Sequence, residues 1–279
     1  MKIAYLMQVR DDINQAAHTI TALATYDDVY VTCYDFDEAR PLARRFMNNN
    51  NVHFINENYE FMEGSLSIPR VWLMLLHEAL KNGPYGAYIN VTEYTLPIRS
   101  RDELEKIIIE NRGSDFIQSE SEKEVTGLRH KYQKYSIGPT DPRYSTEPKF
   151  KKNMERLSSF VYSIHVRRKK IPMEIFQGPC WFILSQETAK KIDENMGECS
   201  DYFNLSFFAQ EVYFHSAINK YSDNIINECI VLLDRKWEPD FFPEFVANDK
   251  IENNNSKFFV NKISLNDNEE LFDKLVEQY

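Results

Sequence analysis

Glycine is scarce in this chain, 8 residues in 279, and the glycines never fall into the spacing with which a Gly-rich loop cradles phosphate. That absence argues against kinase-like and P-loop chemistry. No H-E-x-x-H and no G-x-S-x-G occurs, so zinc-hydrolase and serine-hydrolase readings lose support as well. The four cysteines, Cys33, Cys180, Cys199 and Cys229, have neither zinc-site spacing nor close pairing and are expected as free thiols. Basic residues are outnumbered, 33 against 43 acidic, and the net charge of −10 disfavours a nucleic-acid partner. No apolar run approaches the length needed to span a bilayer. The opening MKIAYLMQVRDD turns charged after a strand-length apolar stretch, unlike a signal peptide. A cytoplasmic protein is expected, peripheral at most to the inner face of a membrane.

What the chain does have is the material of a core. Hydrophobic residues make up 43% and aromatics 14%, which suits a folded α/β domain of this length. Residues 2–9, 29–35, 52–55 and 87–91 read as strands, and 12–25, 38–47, 67–82 and 101–112 as helices. Pro69 suits a first helical turn, Gly83-Pro84 a helix end, and Ser100 an N-cap with Glu103 three residues on. Strand and helix alternate, which predicts a mostly parallel sheet flanked by helices. Beyond 112 the pattern predicts a strand at DFIQSES, a strand-turn-strand at 175–184 and a helix capped by Ser185. A helix over 203–221, a strand at NIINECIVLLDR, a short strand and a closing helix follow. The expected layout is one domain over 1–279, with a nucleotide-binding half (1–112) and an acceptor and catalytic half (113–279).

Glu211 is the residue that stands out, a single carboxylate within the apolar and aromatic run around AQEVYF. A carboxylate is costly against apolar surface unless it is paired or used. His215 lies four residues on, and Glu-x-x-x-His on one helical face suits a metal, although a core or surface histidine is the commoner case. Asp35-Phe36-Asp37 has the Asp-x-Asp form that holds a divalent ion. At the end of the second strand, contact of Asp35 with uridine or ribose is the better reading. The basic run HVRRKK at 165–170 reads as a solvated segment, or as a patch for the phosphates of a lipid-linked acceptor or an anionic membrane.

Four segments in order resemble the core-2 and I-branching β-1,6-N-acetylglucosaminyltransferases and their relatives the peptide O-xylosyltransferases. They are Tyr88-Ile89-Asn90-Val91-Thr92-Glu93-Tyr94-Thr95-Leu96-Pro97-Ile98, Gly178-Pro179-Cys180-Trp181-Phe182-Ile183-Leu184-Ser185-Gln186-Glu187, Ala209-Gln210-Glu211-Val212-Tyr213-Phe214 and Phe258-Phe259-Val260-Asn261-Lys262-Ile263, with Asp249 upstream of the last. The resemblance implies a GT-A-like fold with a Rossmann-like, mostly parallel central sheet. It also implies inverting transfer from a UDP-sugar to a hydroxyl of a glycan or lipid-linked glycan acceptor, with no cofactor and no obligatory metal. It gives Glu211 the role of base and Lys262 that of diphosphate counter-charge, with a second cation expected from Arg235 or Lys236. Thr95 and Asp35 are the further donor-side candidates. Trp181, Glu93, Arg129 and Tyr132 are the acceptor-side candidates, against an ordinary reading of Trp181 as core and of Arg129 and Tyr132 as a solvated loop. The chain departs from the family where Glu93 replaces a glycine, Thr95 an aspartate and Ala209-Gln210 a Pro-Asp.

The donor expected is UDP-N-acetylglucosamine or similar, with xylose, galactose or galactofuranose as alternatives, and the setting cell-surface polysaccharide synthesis. Two competing readings stand beside it. One is a metal-dependent or retaining transferase using Asp35 and Asp37, and the other is a non-catalytic nucleotide-sugar or glycan-binding module.

Overall fold

The computed structural model describes residues 1–34, 36–55, 66–133, 157, 170–204, 206, 209–238, 244–247, 250–251, 257–263 and 269–279. The first half follows the expected alternation. It runs β1 (Ile3–Val9), α1 (Ile13–Leu23), β2 (Asp28–Cys33), α2 (Phe36–Arg45), β3 (Val52–Phe54), α3 (Ser67–Asn82) and β4 (Ala87–Thr92). Then come β5 (Leu96–Pro97), α4 (Arg101–Glu110), β6 (Asp115–Phe116), β7 (Glu120–Ser121), β8 (Phe176–Gln177) and β9 (Ile183–Leu184). The last strands are β10 (Ile225–Ile226), β11 (Val231–Leu232) and β12 (Phe259–Val260). Local chemistry sets the helix starts. Asp12 accepts the amide of Gln15 to cap α1, and Ser100 with Glu103 forms a complete capping box on α4.

A seven-stranded sheet has the order β10-β6-β9-β4-β1-β2-β3 and therefore takes strands from both sides of residue 112. β3, β2, β1 and β4 are parallel, whereas β9 runs antiparallel to both β4 and β6. Alternate residues of β1 serve opposite faces, as the two-residue strand period requires. Ala4 and Leu6 join α3 and the helices Gln186–Glu194 and Tyr213–Tyr221 in one core. Ile3, Tyr5, Met7 and Val9 join α1, α2 and α4 in the other. A third apolar cluster lies where the small sheet β11-β12-β5 meets the helix Glu269–Gln278.

The topology makes a crevice. The chain winds outward through β1, β2 and β3, then returns to place β4 on the opposite side of β1. Ligands of open α/β sheets bind outside the carboxyl ends at such a reversal. Because β9 is antiparallel, its amino-terminal approach, residues 180–182, arrives at the same edge. Asn90, fully buried in β4, fixes that approach: its Oδ1 accepts from the amide of Phe182 and its Nδ2 donates to the carbonyl of Cys180, both at 2.7 Å.

Three expected elements break. DFIQSES splits into β6 and β7, in different sheets, because Asn227 bonds both the amide (2.8 Å) and the carbonyl (3.1 Å) of Ser119 and draws the chain out of the ladder. NIINECIVLLDR likewise splits into β10 and β11, with Glu228 turning back onto the carbonyl of Ile226. The helix over 203–221 is regular only for Tyr213–Tyr221, while Ala209–Glu211 is a 3₁₀ turn. There the Glu211 carbonyl accepts from Gly178 across the chain at 3.1 Å.

At the far end of the sheet Asp27 is fully buried and collects four donors. These are the amide of Ile3 (2.9 Å), Arg101 Nε (2.5 Å), Arg101 Nη2 (2.9 Å) and the hydroxyl of Tyr279 (3.2 Å). Asp27→Ala would remove the buried partner of the Arg101 guanidinium and leave it only the partly exposed Glu105 at 2.9 Å, a change that costs up to about 3–5 kcal/mol. We expect urea unfolding of Asp27→Ala to show that loss, and the double variant Asp27→Leu/Arg101→Met to recover part of it.

Candidate active site

At the crevice the carboxyl ends of β1 and β4, the approach to β9, the 3₁₀ turn and the segment after β12 enclose a cavity of about 230 Å³. Trp72, Trp181 and Trp237, all the tryptophans of the chain, line it, together with Gln8, Arg10, Asp11, Glu93, Tyr94, Gln210, Glu211, Asn261 and Lys262. The walls thus combine broad apolar faces with a few charged groups, the usual composition of a small-molecule site.

Glu211 is 2% exposed on this wall. Its turn is held by the Gly178 amide, and position 178 admits no side chain: a Cβ there would lie 2.1 Å from the carbonyl of Gln118. Next to it, burial first and the charge of Glu211 second push the Cys180 thiol upward, so Cys180 is a neutral thiol facing the carbonyl of Gln210 at 3.7 Å. His215 does not face the cavity. Its Nε2 lies 2.9 Å from the carbonyl of Pro179, which makes that nitrogen the protonated one. Burial lowers its pKa to about 4 and keeps the ring neutral. The metal-binding reading of Glu211 and His215 is therefore set aside, because the 3₁₀ turn removes the shared helical face and the imidazole is committed to Pro179.

Glu93 is 1% exposed and ties β4 to β1. Its Oε1 accepts from the amides of Arg10 (2.8 Å) and Asp11 (3.0 Å), in the turn between β1 and α1. In dinucleotide-binding sheets that turn holds phosphate. Here the protein's own carboxylate occupies the two N–H groups. Burial raises the Glu93 pKa, opposed by those same amides. Glu93 Oε2 and Trp72 Nε1 are buried without a hydrogen-bond partner among the described residues.

Of the residues expected from sequence, Glu211, Lys262, Trp181 and Glu93 meet in this cavity. The others do not. Thr95 is fully buried behind the wall, its hydroxyl bonded to the amide of Thr92 (3.1 Å) and to Asn261 Oδ1 (3.2 Å). Arg129 braces the fold, donating to the carbonyls of Ile171 and Met173 (each 2.9 Å) and to Glu122 (2.5 Å). Tyr132 is fully buried in the core. Arg235 lies beside Asp234 at 3.7 Å with its side chain 60% exposed, and the cation that lines the cavity with Lys262 is Arg10. Asp35, the side chain of Asp37, Asp249 and residues 165–169 lie outside the described residues. Among the described residues, no group of three His, Cys, Asp or Glu side chains could hold a metal. Nor, among them, is any helix long and apolar enough to cross a membrane.

Sequence reasoning missed Gln8, Arg10, Asp11, Trp72, Tyr94 and Trp237. The reversal rule would have found Arg10 and Asp11 once β1 was placed next to β4. Trp72 had no such signal, since on α3 it reads as one more apolar residue.

A cavity at the strand reversal of a mostly parallel sheet, carrying a buried carboxylate and an ammonium, has the make-up of a small-molecule site in an α/β protein. The profile of the Core-2/I-Branching enzyme family matches residues 3–253, and the chain belongs to that family. It is a glycosyltransferase, and its substrates are a nucleotide sugar and a glycan acceptor. No curated protein matches the chain. Among solved structures it is similar to 4-diphosphocytidyl-2C-methyl-D-erythritol synthase from Anaerococcus prevotii, with 9% identity over 81% of this chain and 86% of that one and a TM-score of 0.37. It is similar to S. aureus TarS 1–349, with 13% identity, 72% and 66% coverage and a TM-score of 0.28. For mouse xyloside xylosyltransferase 1 the identity is 10%, the coverage 78% and 82%, and the TM-score 0.34. The family assignment rests on the 3–253 match and not on these likenesses.

The buried His215 makes stability depend on acid. A histidine in the unfolded chain titrates near 6.5, above the folded value of about 4, so the unfolded state takes the proton first as pH falls. Its contribution is complete above pH 6.5 and is lost towards pH 4, roughly 3 kcal/mol in all. Urea unfolding at pH 7, 5.5 and 4.5 should show the gap between wild type and His215→Gln narrowing by about 1.2 kcal/mol over each of the two steps.

Proposed function

We propose that this cavity transfers a sugar, N-acetylglucosamine or a close relative, from its UDP derivative to a glycan hydroxyl with inversion and without a metal. The observation that carries the reading is the placement of Glu211 and Lys262 on the walls of one cavity at the strand reversal. In the reaction, a Glu211 carboxylate oxygen takes the proton of the acceptor hydroxyl as that oxygen attacks the anomeric carbon. The bond from that carbon to the diphosphate breaks on the opposite face, and UDP leaves with the electron pair. Fixed cations lower the energy of such a leaving group. Lys262 and Arg10 supply them here. Trp181 offers an apolar face to a sugar ring, as aromatic residues do for pyranose faces.

The acceptor we place among lipid-linked precursors of cell-surface glycans, a reading supported by the basic run at 165–170 alone. Co-sedimentation with vesicles containing anionic lipid, abolished when Arg167, Arg168, Lys169 and Lys170 are replaced by Gln, is the expected result.

Glu211→Gln tests the chemistry. Sugar transfer should fall at least a hundredfold, the usual scale for losing a general base, with UDP binding unchanged. Equal transfer by both proteins would overturn the role. A wild-type protein that neither transfers nor hydrolyses any UDP-sugar would instead mark a binding module. Activity abolished by EDTA and restored by manganese would overturn metal independence.

A further inference from the structure

Lys262 is held in place by aromatic rings. Its Nζ lies 4.9 Å from the ring centre of Tyr94 and 4.8 Å from that of Phe245. The two rings meet edge to face, 6.1 Å apart at 87°, so the ammonium sits in the angle between them. Among the described residues no carboxylate pairs with this ammonium. Three chain segments build the arrangement. β5 pairs antiparallel with β12, which brings Tyr94, two residues before β5, over Lys262, two residues after β12. The amide of Val246 donates to the carbonyl of Lys262 at 2.8 Å and fastens the segment that carries Phe245.

An acid partner would fix a lysine equally well, yet it would cancel the charge. The negative face of an aromatic ring attracts an ammonium while leaving its full positive charge for an anion. Burial, then Glu93 and Asp11, push the Tyr94 hydroxyl up to about 12, so the ring stays a neutral phenol. We propose that Tyr94 and Phe245 are positioning residues, an aromatic clamp that holds the Lys262 ammonium, uncompensated, for the diphosphate of the nucleotide. This rests on the reading of the cavity as a UDP-sugar site.

Because every tryptophan of the chain lines the cavity, intrinsic fluorescence reports its occupancy. UDP and uridine are titrated into the wild type and into Tyr94→Leu, Phe245→Leu, Tyr94→Phe and Lys262→Met. The clamp predicts UDP binding roughly fivefold to tenfold weaker in each leucine variant, still weaker in Lys262→Met, and at the wild-type level in Tyr94→Phe. Uridine binding should be the same in all of them. Equal weakening of UDP and uridine would show that the rings merely shape the pocket, and wild-type UDP affinity in the leucine variants would overturn the clamp outright. If the wild type binds neither nucleotide, the UDP-sugar reading fails, and inorganic diphosphate takes over as the probe. Binding of that ion lost in the leucine variants would still uphold the clamp, and no binding would sink it too.

Discussion

A primary amide buried inside a strand has to find both a donor and an acceptor, and Asn90 finds them on either side of Trp181. The backbone ladder between β4 and β9 is only two rungs long, Tyr88 with Leu184 and Ile89 with Ile183. Asn90 carries the pairing on by two hydrogen bonds, to Cys180 and Phe182. The chain entering β9 is thereby kept against the edge of the crevice, with Trp181 on its wall. Gly178 and the Glu211 turn are bonded to the same stretch, and the imidazole of His215 is bonded to its Pro179. An apolar residue at position 90 would leave the buried amide of Phe182 and the partly buried carbonyl of Cys180 unpaired on the partner segment, a costly arrangement in a low-dielectric interior.

The charges divide by what each one touches. Asp27 is buried and saturated, which gives it a role in holding β1, α4 and the Glu269–Gln278 helix region together and nothing left for a ligand. Glu93 is half committed, one oxygen occupied by the turn after β1 and the other without a partner. Glu211 lies on the cavity wall beside a thiol that burial keeps neutral. Lys262 is steadied by rings. Three carboxylates with similar intrinsic acidity are thus given different surroundings: one saturated in the core, one bracing two strands, and one on the cavity wall.

Much of this was legible in the sequence, for reasons that are local. The elements of the first half were readable because caps and breakers are short-range signals: Ser100 with Glu103, Pro69 and Gly83 each sit where their own chemistry requires. Glu211 was readable because a lone acid in an aromatic run is conspicuous. Long-range events were not readable. The exit of Ser119 from its strand depends on Asn227, more than a hundred residues away, and the break before Tyr213 depends on a bond to Gly178. Thr95 and Arg129 stood out by their positions in the family resemblance, and the structure shows where those side chains are bonded: Thr95 to Asn261, Arg129 to the carbonyls of Ile171 and Met173. The second cation was expected at Arg235 or Lys236, whereas the basic residue that lines the cavity with Lys262 is Arg10, at the carboxyl end of β1, a placement that depends on the pairing of β1 with β4.

Gly178 sets how this wall can change over generations. The backbone passes so near the Gln118 carbonyl that even a methyl group has no room, so that position is closed to drift. Variation in what the cavity accepts is therefore channelled to the residues just after it. Cys180 and Trp181 present side chains to the cavity, while Asn90 holds their backbone in place whatever those side chains are. The glycine is thus a fixed point of the wall, and the cavity beside it takes its shape from Cys180 and Trp181, the latter also a member of the core on one face of the sheet.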